Sequence, residues 1–257
     1  MRISLIGAGR VAHHLAQALA PQHQIINIYS RSFDTALGLA TKVNAEAVAD
    51  IADLQTDVDL ILIAISDQSI ATVVEQLHAH VPTVLIAHTS GSTHINVIQQ
   101  HHARAGVFYP LQTFSLEREI DWVNTPLLIE ASQSADLQRL EQLAMALSQR
   151  VYCYSSAQRL SLHLAAVFAC NFSNYCYDMA KQVTDTEAVD FSLLYPLMAA
   201  TAQKAQQADP KDMQTGPAMR GDENIIQMHR QILESSGRAN LQQVYSLLSQ
   251  QILQRHQ

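Results

Sequence analysis

Hydrophobic and polar positions alternate in two different ways along this chain. Up to about residue 154, short apolar runs alternate with stretches of helical spacing; beyond it, only helical spacing recurs. Met1–Ile6 (MRISLI) has the pattern of a buried parallel strand. Val11–Ala20 then has helical spacing, and Ile25–Tyr29 reads as a second strand. Phe33–Val43 predicts a helix, Ala45–Ala49 a short strand and Asp50–Leu54 a helical turn. Val58–Ile65 (VDLILIAI) is almost continuously apolar, as central strands covered on both faces are. Ser69–Leu77 predicts a helix with Asp67 as its N-cap, Val81–Ala87 a strand, and Ile95–Ala103 a helix. Gly106–Tyr109, Pro126–Glu130 and Val151–Tyr154 complete the strands, with the amphipathic helix Ser134–Ser148 before the last. Such alternation predicts an α/β fold: a doubly wound, mostly parallel sheet with an extra edge.

The C-terminal part reads as all-α. Gln158–Val183 contains neither Gly nor Pro, and Ala188–Ala208 carries Pro196 as an expected kink or break. After the Asp209-Pro210 linker and a loop at Thr215–Gly221, Asp222–Glu234 predicts a helix capped by Asp222. Asn240–Arg255 places Leu241, Val244, Leu247, Leu248 and Ile252 on one face. The expected organisation is therefore a sheet domain over 1–154 and a helical domain over 155–257.

The first turn gives the sheet domain a chemistry. Gly7-Ala8-Gly9-Arg10-Val11-Ala12 lies between a strand and a helix, the context that a dinucleotide fingerprint requires. Gly7 permits the tight turn, Gly9 lets backbone approach a pyrophosphate at the helix N-terminus, and Ala12 allows close helix–strand packing. The second strand ends in Ser30-Arg31-Ser32, with no carboxylate before Asp34. An acidic residue there would accept the ribose 2′-OH of NAD; an Arg accommodates the 2′-phosphate of NADP. Arg31 offers a bidentate, charge-assisted contact and the serines add hydroxyls, so the cofactor is read as NADP. Ligands in such folds lie beyond the carboxyl ends of the strands, which brings Ile65 and Ser66 to the cofactor as well. His88-Thr89-Ser90-Gly91-Ser92 follows another strand; His88 and Ser90 suit a bound carbonyl or carboxamide, although these are also turn residues.

Composition narrows the function classes. The 257 residues are 48% hydrophobic and 15% charged, enough for a sizeable core, with a formal charge of −7. That balance, without any Lys/Arg cluster, argues against a nucleic-acid surface. No apolar run has the length of a membrane span, and the N-terminal run is better used as a strand than as a leader. Cys153, Cys170 and Cys176 lack metal-ligand spacing and read as buried free thiols in a reducing, cytoplasmic setting. His101 and His102, adjacent on a helix, face different ways and read as solvated; no metal site is expected.

In order along the chain stand the glycine turn, Ser30-Arg31-Ser32, His88-Thr89-Ser90-Gly91, Pro110-Leu111-Gln112-Thr113-Phe114 and Thr215-Gly216-Pro217-Ala218-Met219-Arg220-Gly221-Asp222. Together they resemble a family joining a Rossmann-like NADP-oxidoreductase domain to a helical C-terminal domain of unknown function. The resemblance spans nearly the whole chain. More distantly the pattern is similar to pyrroline-5-carboxylate reductase, ketopantoate reductase and the β-hydroxyacid dehydrogenases. It implies hydride transfer on a small-molecule substrate in an interdomain cleft and a homodimer formed through the helices. Two departures stand out. The last two groups place a Lys four residues before an Asn, whereas Val167 precedes Asn171 at that spacing. The resembled family has His before Pro-Leu-Gln-Thr-Phe, and this chain has Tyr109. His163, eight residues before Asn171, is the candidate general acid, with Tyr109, Asn171, His88 and Ser90 beside it. Thr215, Gly216 and Arg220 are candidates for a substrate wall, although Arg220 is also placed to pair with Asp222. The alternative function is a catalytically silent NADP-binding sensor.

Overall fold

The computed structural model describes residues 1–257. Its sheet domain runs β1 (Arg2–Ile6), α1 (Arg10–Leu19), β2 (Gln24–Tyr29), α2 (Phe33–Val43), β3 (Glu46–Val48), β4 (Leu60–Ile63), α3 (Ile70–His80), β5 (Leu85–His88) and α4 (Asn96–Gln99). It continues through β6 (Ala105–Pro110), β7 (Leu127–Ala131), α5 (Ser134–Met145), β8 (Val151–Cys153) and α6 (Ser156–Ala166). The eight strands form one sheet in the order β3-β2-β1-β4-β5-β6-β7-β8. All neighbours are parallel except β6 and β7, which pair antiparallel from Gly106↔Ala131 to Pro110↔Leu127. Strand order reverses beside β1, and that switch point opens a crevice at the carboxyl ends of β1 and β4.

The period-two pattern of the central strands explains the layers. Leu60 and Leu62 of β4 pack with Leu15 and Leu19 of α1, whereas Ile61 and Ile63 pack with Val74 and Leu77 of α3. Each such fully buried Leu or Ile contributes about 1.5–3 kcal/mol. Both faces are covered, so the run carries no polar alternation.

Contacts divide the chain into two compact units, Met1–Val167 and Phe168–Gln257. Helix α6, expected with the helical half, stays with the sheet. A capping box of Ser155 and Gln158 starts it, and Arg159 of α6 binds Glu130 of β7 at 2.7 Å. The second unit begins in a π-helical segment, which spans Val167–Phe172. It continues through α7 (Ser173–Thr186), α8 (Tyr195–Gln207), α9 (Pro217–Arg220), α10 (Glu223–Ser235) and α11 (Ala239–His256). Within it α9 packs on α10 and α11. No helix is long and apolar enough to cross a membrane.

Several expectations are corrected. Pro196 does not kink a helix; it occupies the first turn of α8, where its missing N–H costs nothing. Asp222 precedes α10 without a side-chain cap because its carboxylate accepts from Arg220 Nε and Nη2 at 2.9 and 2.7 Å. Asp67 is not the N-cap of α3: it opens a short 3-10 turn, and its carboxylate accepts from the Ser92 hydroxyl. His102 is buried, not solvated; its Nε2 donates to the Val84 carbonyl at 2.6 Å, and only His101 stays near solvent. That inward turn ends the helix at Gln99 rather than at Ala103. All three cysteines are exposed. Their apolar neighbours Phe168, Phe172, Tyr175 and Tyr177 are exposed as well, so apolar surroundings in the sequence did not mean a core.

Candidate functional site

The first unit holds a cavity of about 830 Å³ at the switch point. Its walls are the carboxyl ends of four strands: Ile6–Val11 after β1, Tyr29–Arg31 after β2, Ala64–Ser69 after β4 and Thr89–Ser92 after β5. Thr72, Val73 and Gln76 of α3 and His163 of α6 complete it; nothing in the sequence pattern singled out the α3 residues.

Gly7 has φ +112°, and a Cβ there would lie 2.2 Å from the Ala64 carbonyl oxygen. Glycine is therefore required where β1 passes β4. Gly9 differs: a Cβ there would meet nothing within 4 Å, since that position opens to the cavity. The residue precedes α1 with no side-chain cap, which leaves the first-turn N–H groups of α1 available to an anion. Ser30 and the exposed Arg31 line the far wall, and Arg31 enters none of the chain's salt bridges. Ser32 does not reach the cavity; its Oγ caps α2 by accepting from the Thr35 N–H at 3.4 Å. An open glycine turn, an uncapped helix end and a free guanidinium form a donor set that fits a phosphorylated dinucleotide.

His163, which lines the cavity, meets Tyr109, which does not, and the sequence could only list the two side by side. Tyr109 closes β6, and its hydroxyl lies 3.2 Å from His163 Nδ1. Burial holds the phenol above its ordinary range; Arg159 opposes the shift and Asp67 adds to it, so the hydroxyl keeps its proton. Gly91 sits directly against this pair: a Cβ there would stand 2.6 Å from His163 Nδ1 and 2.7 Å from Tyr109 Cζ. Ser90 Oγ accepts the N–H groups of Ser92 and Thr93 at 3.2 and 2.9 Å and retains its own proton.

His88 does not line the cavity. It is fully buried at the end of β5, where Nδ1 accepts the Ser90 N–H at 3.2 Å. Burial first, then the Arg159 charge, lowers its pKa to about 3, so the ring is neutral and shapes the loop. Ile65 and Ser66 reach the wall as expected from their place after β4. Asn171, Thr215, Gly216 and Arg220 belong to the second unit. Asn171 is exposed on the π-helical segment, Gly216 has φ +104°, and Arg220 is paired with Asp222. Sequence reasoning missed Arg159, Glu130 and Ser156, because the spacing of a lone Arg on a helix does not distinguish a buried one from a solvated one.

Comparison with known proteins places these features. Residues 1–112 match a Rossmann-like domain, and residues 125–252 match a domain of unknown function, DUF2520. A Bacteroides fragilis protein of known structure, provisionally named an NADP oxidoreductase, is 40% identical over 98% of each chain, with a TM-score of 0.91. Two others share the fold at lower identity. An imine reductase from Myxococcus stipitatus, solved with NADP+, is 14% identical over 99% of this chain and 94% of its own, TM-score 0.74. A pyrroline-5-carboxylate reductase from Coxiella burnetii is 15% identical over 99% and 96%, TM-score 0.59. No protein with a curated description matches the chain. The turn, the sheet order and this full-length likeness agree: the chain belongs to the family that couples a Rossmann-like domain to the DUF2520 domain.

Proposed function

We propose that this protein is an NADP-dependent oxidoreductase that transfers a hydride to or from a small carbonyl or imine. The observation that carries the proposal is one cavity lined by the glycine turn, Arg31 and His163 together. On this reading the N-terminus of α1 holds the pyrophosphate, Arg31 and Ser30 hold the 2′-phosphate, and Ile65 and Ser66 lie beside the cofactor. The cofactor supplies or accepts the hydride. Protonated His163 gives a proton from Nε2 to the substrate oxygen or nitrogen while the substrate carbon gains the hydride, leaving neutral imidazole. Tyr109 accepts the Nδ1–H and so fixes the ring. The Ser90 hydroxyl, whose proton is held only by a 3.5 Å contact to Ser92 Oγ, can turn to orient the substrate. Leu193, Tyr195 and Leu197, which expose large apolar side chains, are read as part of a homodimer surface.

Titrations of wild type and Arg31→Ala with NADPH and NADH test the assignment. Charge-assisted hydrogen bonds contribute about 1.5–3 kcal/mol, so Arg31→Ala loses on the order of 10–100-fold in NADPH affinity and none in NADH affinity. Equal or absent binding of the two nucleotides refutes the NADP assignment. A silent sensor remains the second reading, favoured by Val167 standing where two distant relatives place a lysine. It predicts tight NADPH binding without turnover of any carbonyl or imine.

A further inference from the structure

Arg159 is the largest fully buried side chain of the first unit, 1% exposed, and it does not line the cavity. Its Nη1 donates to Glu130 Oε2 at 2.7 Å, and its Nη2 donates to the Thr93 carbonyl and to Ser156 Oγ, the latter at 3.1 Å. Glu130 also accepts the Ser156 hydroxyl at 2.6 Å, and Ser156 Oγ accepts the Ile95 N–H at 3.0 Å. One buried network therefore joins α6, β7 and the loop that leaves β5.

A buried ion pair is a weak device for stability, because well-packed apolar residues serve as well or better. A guanidinium adds a rigid fork that fixes the relative position of its acceptors. Those acceptors matter here. His163 lies four residues after Arg159, one turn along the same face of α6. The loop held at Thr93 and Ile95 carries Ser90 and Gly91, and Gly91 is packed against both His163 and Tyr109. A small slide of α6 against that loop changes the Tyr109–His163 contact directly.

We infer that Arg159 is a positioning residue for His163: its fork to Glu130 and the Thr93 carbonyl sets the spacing at which His163 Nδ1 meets the Tyr109 hydroxyl. The catalytic consequence rests on the proposed role of His163 as the acid; the geometry does not. The charge of Arg159 also acts on Tyr109 electrostatically, which agrees with its nearness to the pair.

The test is histidine NMR on the full chain with ¹⁵N-labelled imidazoles, His163 being assigned through His163→Gln. Wild type is compared with Tyr109→Phe, Arg159→Lys and Glu130→Gln. Lysine keeps the charge without the fork; glutamine keeps the shape of Glu130 without its charge. Both variants are expected to shift the His163 Nδ1 signal in the direction that Tyr109→Phe does, with NADPH affinity unchanged. With a substrate in hand, kcat falls and the cofactor KM does not. His163 signals that stay at their wild-type positions overturn the inference, and Glu130→Gln decides alone if Arg159→Lys does not fold. Loss of NADPH binding in every form, wild type included, would instead refute the oxidoreductase reading and leave this positioning role intact.

Discussion

Replacing Gly91 by alanine isolates the Tyr109–His163 pair. Gly91 is not among the positive-φ glycines, so alanine adopts its backbone without strain and the change is a single methyl. That methyl would stand 2.6 Å from His163 Nδ1 and 2.7 Å from Tyr109 Cζ. Relaxed contacts need about 3.5 Å or more, so one ring must retreat by roughly 1 Å. The 3.2 Å contact between Tyr109 and His163 is then lost as a hydrogen bond. Overpacking of this kind costs about 1–3 kcal/mol, a drop in Tm of roughly 2–12 °C for a chain of this size. Misplacing a proton donor by such a distance lowers kcat on the order of 10²-fold. NADPH binding by fluorescence, thermal unfolding and NADPH oxidation with a substrate from a carbonyl and imine panel measure the three effects separately. Retained NADPH affinity with a large fall in kcat is the expected pattern. A folded Gly91→Ala protein with wild-type kcat would refute the idea that proton transfer depends on this contact.

The two glycines of the nucleotide turn should respond oppositely. Gly9→Ala puts its methyl into open cavity, so stability changes by no more than about 0.5 kcal/mol, while NADPH affinity falls on the order of tenfold or more in a titration. Gly7→Ala meets the Ala64 carbonyl oxygen at 2.2 Å with φ +112° and should cost more than the roughly 1–3 kcal/mol of overpacking, read as loss of folded protein in expression and calorimetry. His88 predicts an acid limb: its pKa is lowered from 6.5 to about 3 in the folded chain, so the unfolded chain binds the extra proton. Its contribution is complete above the unfolded value and is lost as pH falls toward the folded one, roughly 2 kcal/mol by about pH 5. Urea unfolding across that range should show a flatter acid limb in His88→Gln, and an unchanged limb would contradict the neutral, buried imidazole.

How much of this was legible in the residues varies with the range of the interaction. Local patterning determined the strands, helices and glycine turn, because burial on both faces, helical spacing and turn conformation each leave a short-range signature. Ser30-Arg31 at the end of β2 was readable for the same reason: a fingerprint fixes where the second strand's end must fall. The capping box at Ser155 and Gln158 is equally local. Tertiary structure alone decided the rest. Tyr109 and His163 come from β6 and α6 and meet only because the sheet order brings β6 under that helix. His88 turned inward and left the wall to its successors, since a side chain at the end of a buried strand faces a layer rather than the crevice. Arg159, His102 and the exposed cysteines carry the same lesson. Whether a polar or apolar side chain is enclosed depends on which distant element packs over it, and neither composition nor periodicity records that.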